Sequence, residues 1–514
     1  MTDPAHSRLS ARLVGLATAL TERLPLQVNL LANLKKSYPL VIVGSIETGL
    51  PFIRMLALTH LLSLRQVGLA SVLTAFGAFL ELSTDLAIHR FVYSAPREQF
   101  EEALATAHAL SLARGLVVCL LALCVAPLVA SAVSLGEYWA GFALLAPPIL
   151  IRSFENLSPR IAERDFRYWP QLKMMGVNSA VSIIVLIVVA LVTRNYYAVI
   201  ASAYAQVIVA FFASRWFADA PYRVNFRSPL FKTAFQFSYP LLINGFGLSI
   251  AMQGDRFVVA RFYDLQTLAI YSVVMLAATV PLGLLNRVLQ TTILARFYHA
   301  SGDPKRLNEE VKTASSVVAV LAALYAGGVV LLLNPAMGLV FGAKFHADRS
   351  AMILLGAAAF FRLVRTEPFT SVMLNASRTK RLAASNILAS SALAFMIVAS
   401  FIDRSVDALL GARLAGELTS LVATLFMARQ APQSGRYCFT LSTVVGALFF
   451  GLACLVSHAL GPAGDLLWPS TLATVAFCLV VLAWGATDVR RRMGRLRGAI
   501  ARAAGAPETS AQPL

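Results

Sequence analysis

The sequence predicts an all-α integral membrane protein of about fourteen transmembrane helices, arranged as two parallel six-helix bundles around a central cleft plus two carboxyl-terminal helices. Three observations predict it. Of 514 residues, 58% are hydrophobic and 14% charged, where a soluble domain carries about 25% charged residues, and the mean hydropathy is +0.70. Apolar runs of the roughly 20 residues needed for one helical crossing of a hydrocarbon core recur along nearly the whole chain. An amino-terminal segment also returns near the middle of the chain, so the halves are related.

The apolar runs centre near Ser45, Phe79, Leu120, Leu145, Ile184, Ala205, Gly247, Val280, Leu324, Ala359, Ala394, Leu418, Phe449 and Val475. With the amino terminus in the cytoplasm, the even-numbered connections are cytoplasmic and collect the basic residues. These are Arg90 and Arg97; Arg160, Arg164 and Arg167; Arg215, Arg223, Arg227 and Lys232; Lys305, Arg306 and Lys312; and Arg378, Lys380 and Arg381. This assignment puts about 31 of the 44 Lys and Arg inside, about 7 outside and about 6 within spans, the bias that orients membrane proteins. An even number of crossings also brings the tail, with Arg490, Arg491, Arg492, Arg495 and Arg497, to the cytoplasmic side.

The organisation read from these runs is a basic cytoplasmic segment over 1–36, six-helix bundles over 37–229 and 230–432, two added helices over 433–488, and a basic cytoplasmic tail over 489–514. Residues Ser10 to Leu34 fit either an amphipathic helix on the membrane surface or a loosely ordered basic tail. Arg8, Arg12, Arg23, Lys35 and Lys36 are too dispersed for a signal peptide.

The formal charge of +18 sits in short connections rather than on a basic face with interleaved aromatics, which argues against nucleic acid. There is no GxxxxGK[ST] phosphate loop and no connection long enough for a folded domain, so direct use of ATP is not expected. Cys119, Cys124, Cys438, Cys454 and Cys478 lie in apolar stretches without metal-ligand spacing and read as small core residues. No cofactor or metal is expected.

Ser37-Tyr38-Pro39-Leu40-Val41-Ile42-Val43-Gly44 matches Ser238-Tyr239-Pro240-Leu241-Leu242-Ile243-Asn244-Gly245 at six of eight positions, at an offset of 201 residues. The same offset pairs Leu64 with Leu265, Ser71 with Ser272 and Val72 with Val273. Six crossings separate the copies, so both halves enter the membrane in the same direction, as in transporters that rock one bundle against the other. Pro39, Pro51, Pro127, Pro147, Pro148, Pro240 and Pro281 lie in or at the head of spans. Each removes a backbone donor, leaving either a static kink or a bend usable in a gate.

An ionisable residue at the bilayer centre costs about 2.5 to 3.5 kcal/mol on the mild insertion scale, so such residues face protein or water. The candidates are Glu47 and Arg54 in the first span, Glu81 and Asp85 in the second, His108 and Arg114 in the third, and Arg287 in the eighth. The tenth span carries Arg362, Arg365 and Glu367, and the twelfth Arg413 and Glu417. Arg413 and Glu417, four residues apart, are expected to neutralise each other. Glu81 and Asp85, read on one helix face, raise one another's affinity for a proton and are the candidate coupling site. Arg54, Arg114, Arg287, Arg362 and Arg365 outnumber the acids available to them. They predict a cationic cleft, with snorkelling to an interface as the alternative for each.

Gly254-Asp255-Arg256-Phe257-Val258-Val259-Ala260-Arg261-Phe262, followed by Ala269-Ile270-Tyr271-Ser272-Val273, resembles the seventh-to-eighth-helix segment of polysaccharide transporters. These are Wzx-like proteins of the multidrug, oligosaccharidyl-lipid and polysaccharide flippase superfamily, which includes the MATE transporters. Leu61-Leu62-Ser63-Leu64-Arg65-Gln66-Val67-Gly68-Leu69 and Phe235-Gln236-Phe237-Ser238-Tyr239-Pro240-Leu241 are similar to their counterparts. The resemblance covers the first twelve helices through loose, mostly apolar motifs. His60 stands where the family often has Arg, although Arg261 is kept, and Ala269 replaces a usual Gly.

The resemblance implies a bacterial inner-membrane flippase that turns an undecaprenyl-pyrophosphate-linked oligosaccharide toward the periplasm for exopolysaccharide, O-antigen or capsule synthesis. It implies as partners that lipid-linked substrate, membrane lipids, a polysaccharide polymerase and a chain-length regulator. On this expectation Arg114, Arg287 and Arg365 hold the pyrophosphate, Arg54 and Asp255 line the outer cleft, Arg362 adds to the cationic lining, and Glu81, Asp85 and Asp255 serve ion coupling or charge relay. The alternative within the superfamily is a cation-coupled exporter of small drugs, which an excess of basic cleft residues disfavours. A membrane-embedded glycosyltransferase or polymerase is expected to carry a long catalytic outer loop, and none is present. A scaffolding protein leaves the embedded arginines unexplained.

Overall fold

The computed structural model describes residues 49–165, 167–376, 378–429 and 438–503. The first copy of the repeat at 37–44, with Pro39, and also Glu47, the amino-terminal segment and the end of the tail lie outside the described residues.

The described chain is helical, with no strand. In order, the principal helices are α1 (Gly49–Leu61), α2 (Leu64–Ser83), α3 (Ile88–Ser94), α4 (Phe100–Ala132), α5 (Ala146–Arg152), α6 (Trp169–Thr193) and α7 (Tyr197–Trp216). There follow α8 (Leu230–Phe262), α9 (Leu265–Ala300), α10 (Pro304–Phe341), α11 (Arg349–Thr366), α12 (Thr379–Ala389), α13 (Ser391–Ile402), α14 (Val406–Arg429), α15 (Leu441–Leu460) and α16 (Leu467–Ala503).

Local chemistry starts several of these helices. The Asp264 carboxylate accepts from the Thr267 N–H at 2.8 Å and caps α9, and Asp303 accepts from Lys305 and Arg306 N–H groups to cap α10, with Pro304 just inside. Such caps satisfy amides that have no partner within the helix.

Among the described residues nine helices are long and apolar enough to cross a membrane, against the fourteen crossings expected. The difference lies in particular elements. The crossing centred at Leu145 is split into Trp139–Ala143 and α5, which restarts on Pro147 and Pro148, residues that lack the N–H a continuing helix needs. α8 has the length to span, at 33 residues, but carries Lys232, Gln253, Asp255 and Arg256. The crossing centred at Ala394 divides at Ser390 into α12 and α13.

α2 packs against α8 and α9, α6 against α7, and α10 against α11, α15 and α16, while α14 packs on α11 and α13. α8 starts against α3 and α4: Ala234 belongs to a core with Leu86, Phe91, Leu104 and Ile161. Its far end, Val258 to Ala260, lies in another core with Leu69, Leu73, Phe142, Val273, Phe341 and Leu409. Thus α8 crosses between regions as it crosses the molecule.

The two ends of the molecule differ. One end gathers the basic connections, tied by Tyr93 to the Arg160 carbonyl, Arg167 to Asp219 and Arg381 to the Met427 carbonyl. There the chain keeps two separate apolar cores, the one around Leu86 and Ala234 and one around Phe297, Phe360 and Phe369. At the opposite end residues from both halves share one continuous core. Gly68 is required in that shared core. A Cβ there would sit 1.9 Å from the Leu265 carbonyl oxygen, so only glycine lets α2 meet the start of α9. Arg261 donates to the Ser134 hydroxyl at 2.8 Å, and Lys344 to the Leu62 carbonyl at 2.8 Å, where α1 ends. A cation there answers the unpaired carbonyls of a helix terminus.

Candidate functional site

The embedded charges fall into two groups, both assembled from residues far apart in sequence. In the first half, Glu81 near the end of α2 forms an ion pair with Arg152 at the end of α5. Arg152 also lies 3.9 Å from Glu155. Arg114 on α4 donates to the Thr84 hydroxyl at 2.9 Å and to the Glu81 carbonyl at 3.2 Å. Arg54 on α1 donates to Gln206 at 2.8 Å and to the Ser182 hydroxyl, so its guanidinium is held among α1, α6 and α7.

One expectation for this group is corrected. Glu81 and Asp85 do not share a helix face, because α2 ends at Ser83 and the chain then turns through Ala87, which has φ 44°. The Thr84 hydroxyl bonds the Leu80 carbonyl at 2.5 Å, and the Asp85 carboxylate accepts from the Ala87 N–H at 2.8 Å. Side chains that compete for backbone groups favour such a break. Asp85 is therefore a turn-forming carboxylate, and Glu81 is already charge-compensated by Arg152.

In the second half the buried Asp255 of α8 accepts from the Tyr271 hydroxyl of α9 at 3.0 Å and from Arg413 of α14 at 3.1 Å. Arg365 of α11 faces Glu417 of α14 at 3.4 Å and reaches the Ser385 hydroxyl at 3.3 Å. Both Arg365 and Glu417 are buried, with side chains 7% and 10% exposed. The expected Arg413–Glu417 pair is thus replaced by two pairs between helices. Pairing between elements lets each charge meet its partner in the interior, whereas neighbours on one helix face compete with other partners for geometry.

Two arginines are not committed in this way. Arg362 on α11 lines a cavity of about 20 Å3 with Arg413, Glu417 and Thr279. Arg287 on α9 is exposed, as are its neighbours Val288 and Thr291, while Leu282, Leu289 and Ile293 of the same helix are buried in the core around Phe297. Among the described residues its guanidinium has no hydrogen-bond or ion-pair partner. Arg287 lies on the stretch of α9 past Pro281, toward the end where the cores are separate.

The five candidate arginines therefore do not converge on one point. Arg114 stands with Glu81, Arg54 with Gln206, and Arg365 with Glu417; among the described residues Arg287 and Arg362 have no hydrogen-bond or ion-pair partner. The sequence reading did not single out Arg152, Tyr271, Gln206 or Ser385. Charge balance is the signal that could have found Arg152, since Glu81 in an apolar span requires a cation from a facing span.

A family profile described as "Polysaccharide biosynthesis protein" matches residues 57–348. Among solved structures, the chain is similar to one described as "Lipid II flippase MurJ, inward closed conformation", at 15% identity and a TM-score of 0.63, covering 87% of this chain and 99% of that one. It is also similar to an inward-facing multidrug resistance MATE family transporter of the MOP superfamily, at 14% identity and a TM-score of 0.56, covering 80% of this chain and 95% of that one. No curated protein sequence matches.

Proposed function

We propose that this chain, which belongs to the polysaccharide biosynthesis protein family and shares the fold of MurJ- and MATE-like transporters, is a multi-pass flippase that translocates undecaprenyl-pyrophosphate-linked oligosaccharides across the bacterial inner membrane. Its termini are cytoplasmic in this reading, and the basic end faces the cytoplasm.

The observation that carries the proposal is Arg287, a cation in an apolar helix with no protein partner among the described residues. Facing hydrocarbon it would cost about 2.5 to 3.5 kcal/mol; facing a water-filled cleft it offers a guanidinium fork to an anion, and pyrophosphate suits that fork. The separate cores supply the place for such a cleft, between the halves at the basic end. The shared core supplies a seal at the other end. Alternating access then consists of parting the Gly68–Leu265 contact while the halves close at the basic end. The lipid tail stays in the bilayer, and only the head passes through protein.

Arg114 holds the cleft wall by its bonds to Thr84 and Glu81, and Arg54 and Arg365 brace their own bundles. Glu81 and Asp255, each beside an arginine, serve as internal charge relays.

The test is translocation of a radiolabelled lipid-pyrophosphate oligosaccharide in proteoliposomes. Wild type is expected to move it, Arg287→Ala to lose at least tenfold in rate, and Arg287→Lys to keep a part. No movement by folded wild type across several glycans, with export of cationic drugs instead, would replace this reading with that of a drug exporter.

A further inference from the structure

Among the described residues four acidic side chains are buried: Asp255, Glu310, Glu367 and Glu417. Three of them face an arginine. Asp255 meets Arg413, Glu310 meets Arg296 at 2.7 Å, and Glu417 meets Arg365. Glu367 is the most deeply buried of the four, at 1% exposed, and has no cation partner among the described residues.

Glu367, expected in the tenth span, instead follows the last turn of α11, at the corner where the chain enters a short helix, Phe369–Asn375. It lies outside the nine helices long and apolar enough to cross the membrane. Its Oε2 accepts from the Ser371 hydroxyl at 2.8 Å; its Oε1 is buried without a hydrogen-bond partner. Leu363, Val364, Phe369 and Val372 on either side of the corner belong to the core around Phe297 and Phe360, as does Cys438, whose buried thiol lies in the field of Glu367. The charges on the neighbouring elements are engaged elsewhere or exposed. Arg362 and Arg365 of α11 stand on the side of Glu417, Arg296 of α9 and Lys312 of α10 have glutamate partners, and Arg381 of α12 reaches the Met427 carbonyl. His299, Lys305, Arg306 and Arg378 are exposed.

An ionised carboxylate held out of water without a cation costs several kcal/mol, so burial of this kind favours the protonated acid. Burial pushes the Glu367 carboxyl up to about 7, and the bonds from Ser371 offset it in part. We infer that Glu367 is a proton-binding site of the folded protein: as a neutral acid, with its proton on the unpartnered Oε1, it closes the corner between α11 and the Phe369–Asn375 helix. Loss of the proton puts a bare charge into the core and loosens that corner. The short helix reaches the α9–α10 turn, where the Ser301 hydroxyl lies 2.9 Å from the Asn375 side-chain oxygen, so the loosening acts at the basic end of the second half. The site is apart from Arg287, Glu81 and Asp85, and it does not rest on the identity of the cargo.

The experiment is an infrared pH titration of the full-length protein in lipid nanodiscs, wild type against Glu367→Gln. Wild type is expected to show the carbonyl band of a protonated carboxyl that disappears as pH rises through about 7, Glu367→Gln to lack it, and Glu81→Gln to keep it. The folded state holds a proton that the unfolded chain releases in the ordinary carboxylate range, so stability is lost as pH rises from that range to about 7. Over that interval the Tm of wild type is expected to fall about 3 °C further than that of Glu367→Gln. Identical spectra for wild type and folded Glu367→Gln, or a Glu367 band already lost in the ordinary carboxylate range, would overturn the proposal. Should Glu367→Gln fail to fold, Ser371→Ala decides: removing the donor to Oε2 is expected to carry the loss of the band to higher pH, and an unchanged titration would overturn the assignment.

Discussion

Arg365 and Arg287 are both arginines in apolar helices, and the structure treats them in opposite ways. Arg365 is buried, faces Glu417 and reaches Ser385; Arg287 is exposed on α9, without a partner among the described residues, near the parted cores. The difference teaches that an embedded arginine is not a ligand site by its presence alone. Its partner decides: a paired guanidinium has already given up its charge to the fold, and an unpaired one keeps it for something that arrives.

The comparison breaks most visibly at Arg365. Arg365→Met leaves Glu417 buried without its cation, which costs about 3 to 5 kcal/mol, and a large fall in Tm is expected. The Arg365→Met, Glu417→Leu double variant is expected to recover most of it; a double variant no more stable than the single one would mean the pair does not hold α11 to α14. Next in size, Asp255→Asn weakens the charge-assisted bonds to Arg413 and Tyr271, at about 1.5 to 3 kcal/mol. A wild-type Tm for that variant would contradict the triad.

Gly68→Ala tests the joined end. Its Cβ would overlap the Leu265 carbonyl, so the halves must separate locally, at about 1 to 3 kcal/mol for overpacking. Reagent labelling of a cysteine placed at Ser134 is expected to speed up in that variant; unchanged labelling would show that the contact is not a seal. The smallest effect on stability is expected at Arg287, where Arg287→Met should leave stability within about 0.5 kcal/mol of wild type while transport is lost.

Much of the fold was legible because hydropathy and helix length are local properties. Runs centred at Leu120, Ile184, Leu324 and Phe449 fall within α4, α6, α10 and α15. The break after Ser83 was not legible, since it depends on Ala87 in a left-handed conformation and on the Thr84 hydroxyl serving Arg114 from another helix. Pairing was hidden for the same reason. Asp255 and Arg413 lie 158 residues apart, and no local pattern announces their contact, whereas the four-residue spacing of Arg413 and Glu417 suggested a pair that the interior does not form. The excess of arginine over acid was visible in the sequence, but which arginine remains in excess required the partners.

The most direct measurement of the central claim is the affinity of nanodisc-embedded protein for an undecaprenyl-pyrophosphate oligosaccharide, compared between wild type and Arg287→Met at equal Tm. The account predicts at least a tenfold loss of affinity in the variant, partly restored in Arg287→Lys. Unchanged affinity in a stably folded Arg287→Met protein would contradict it.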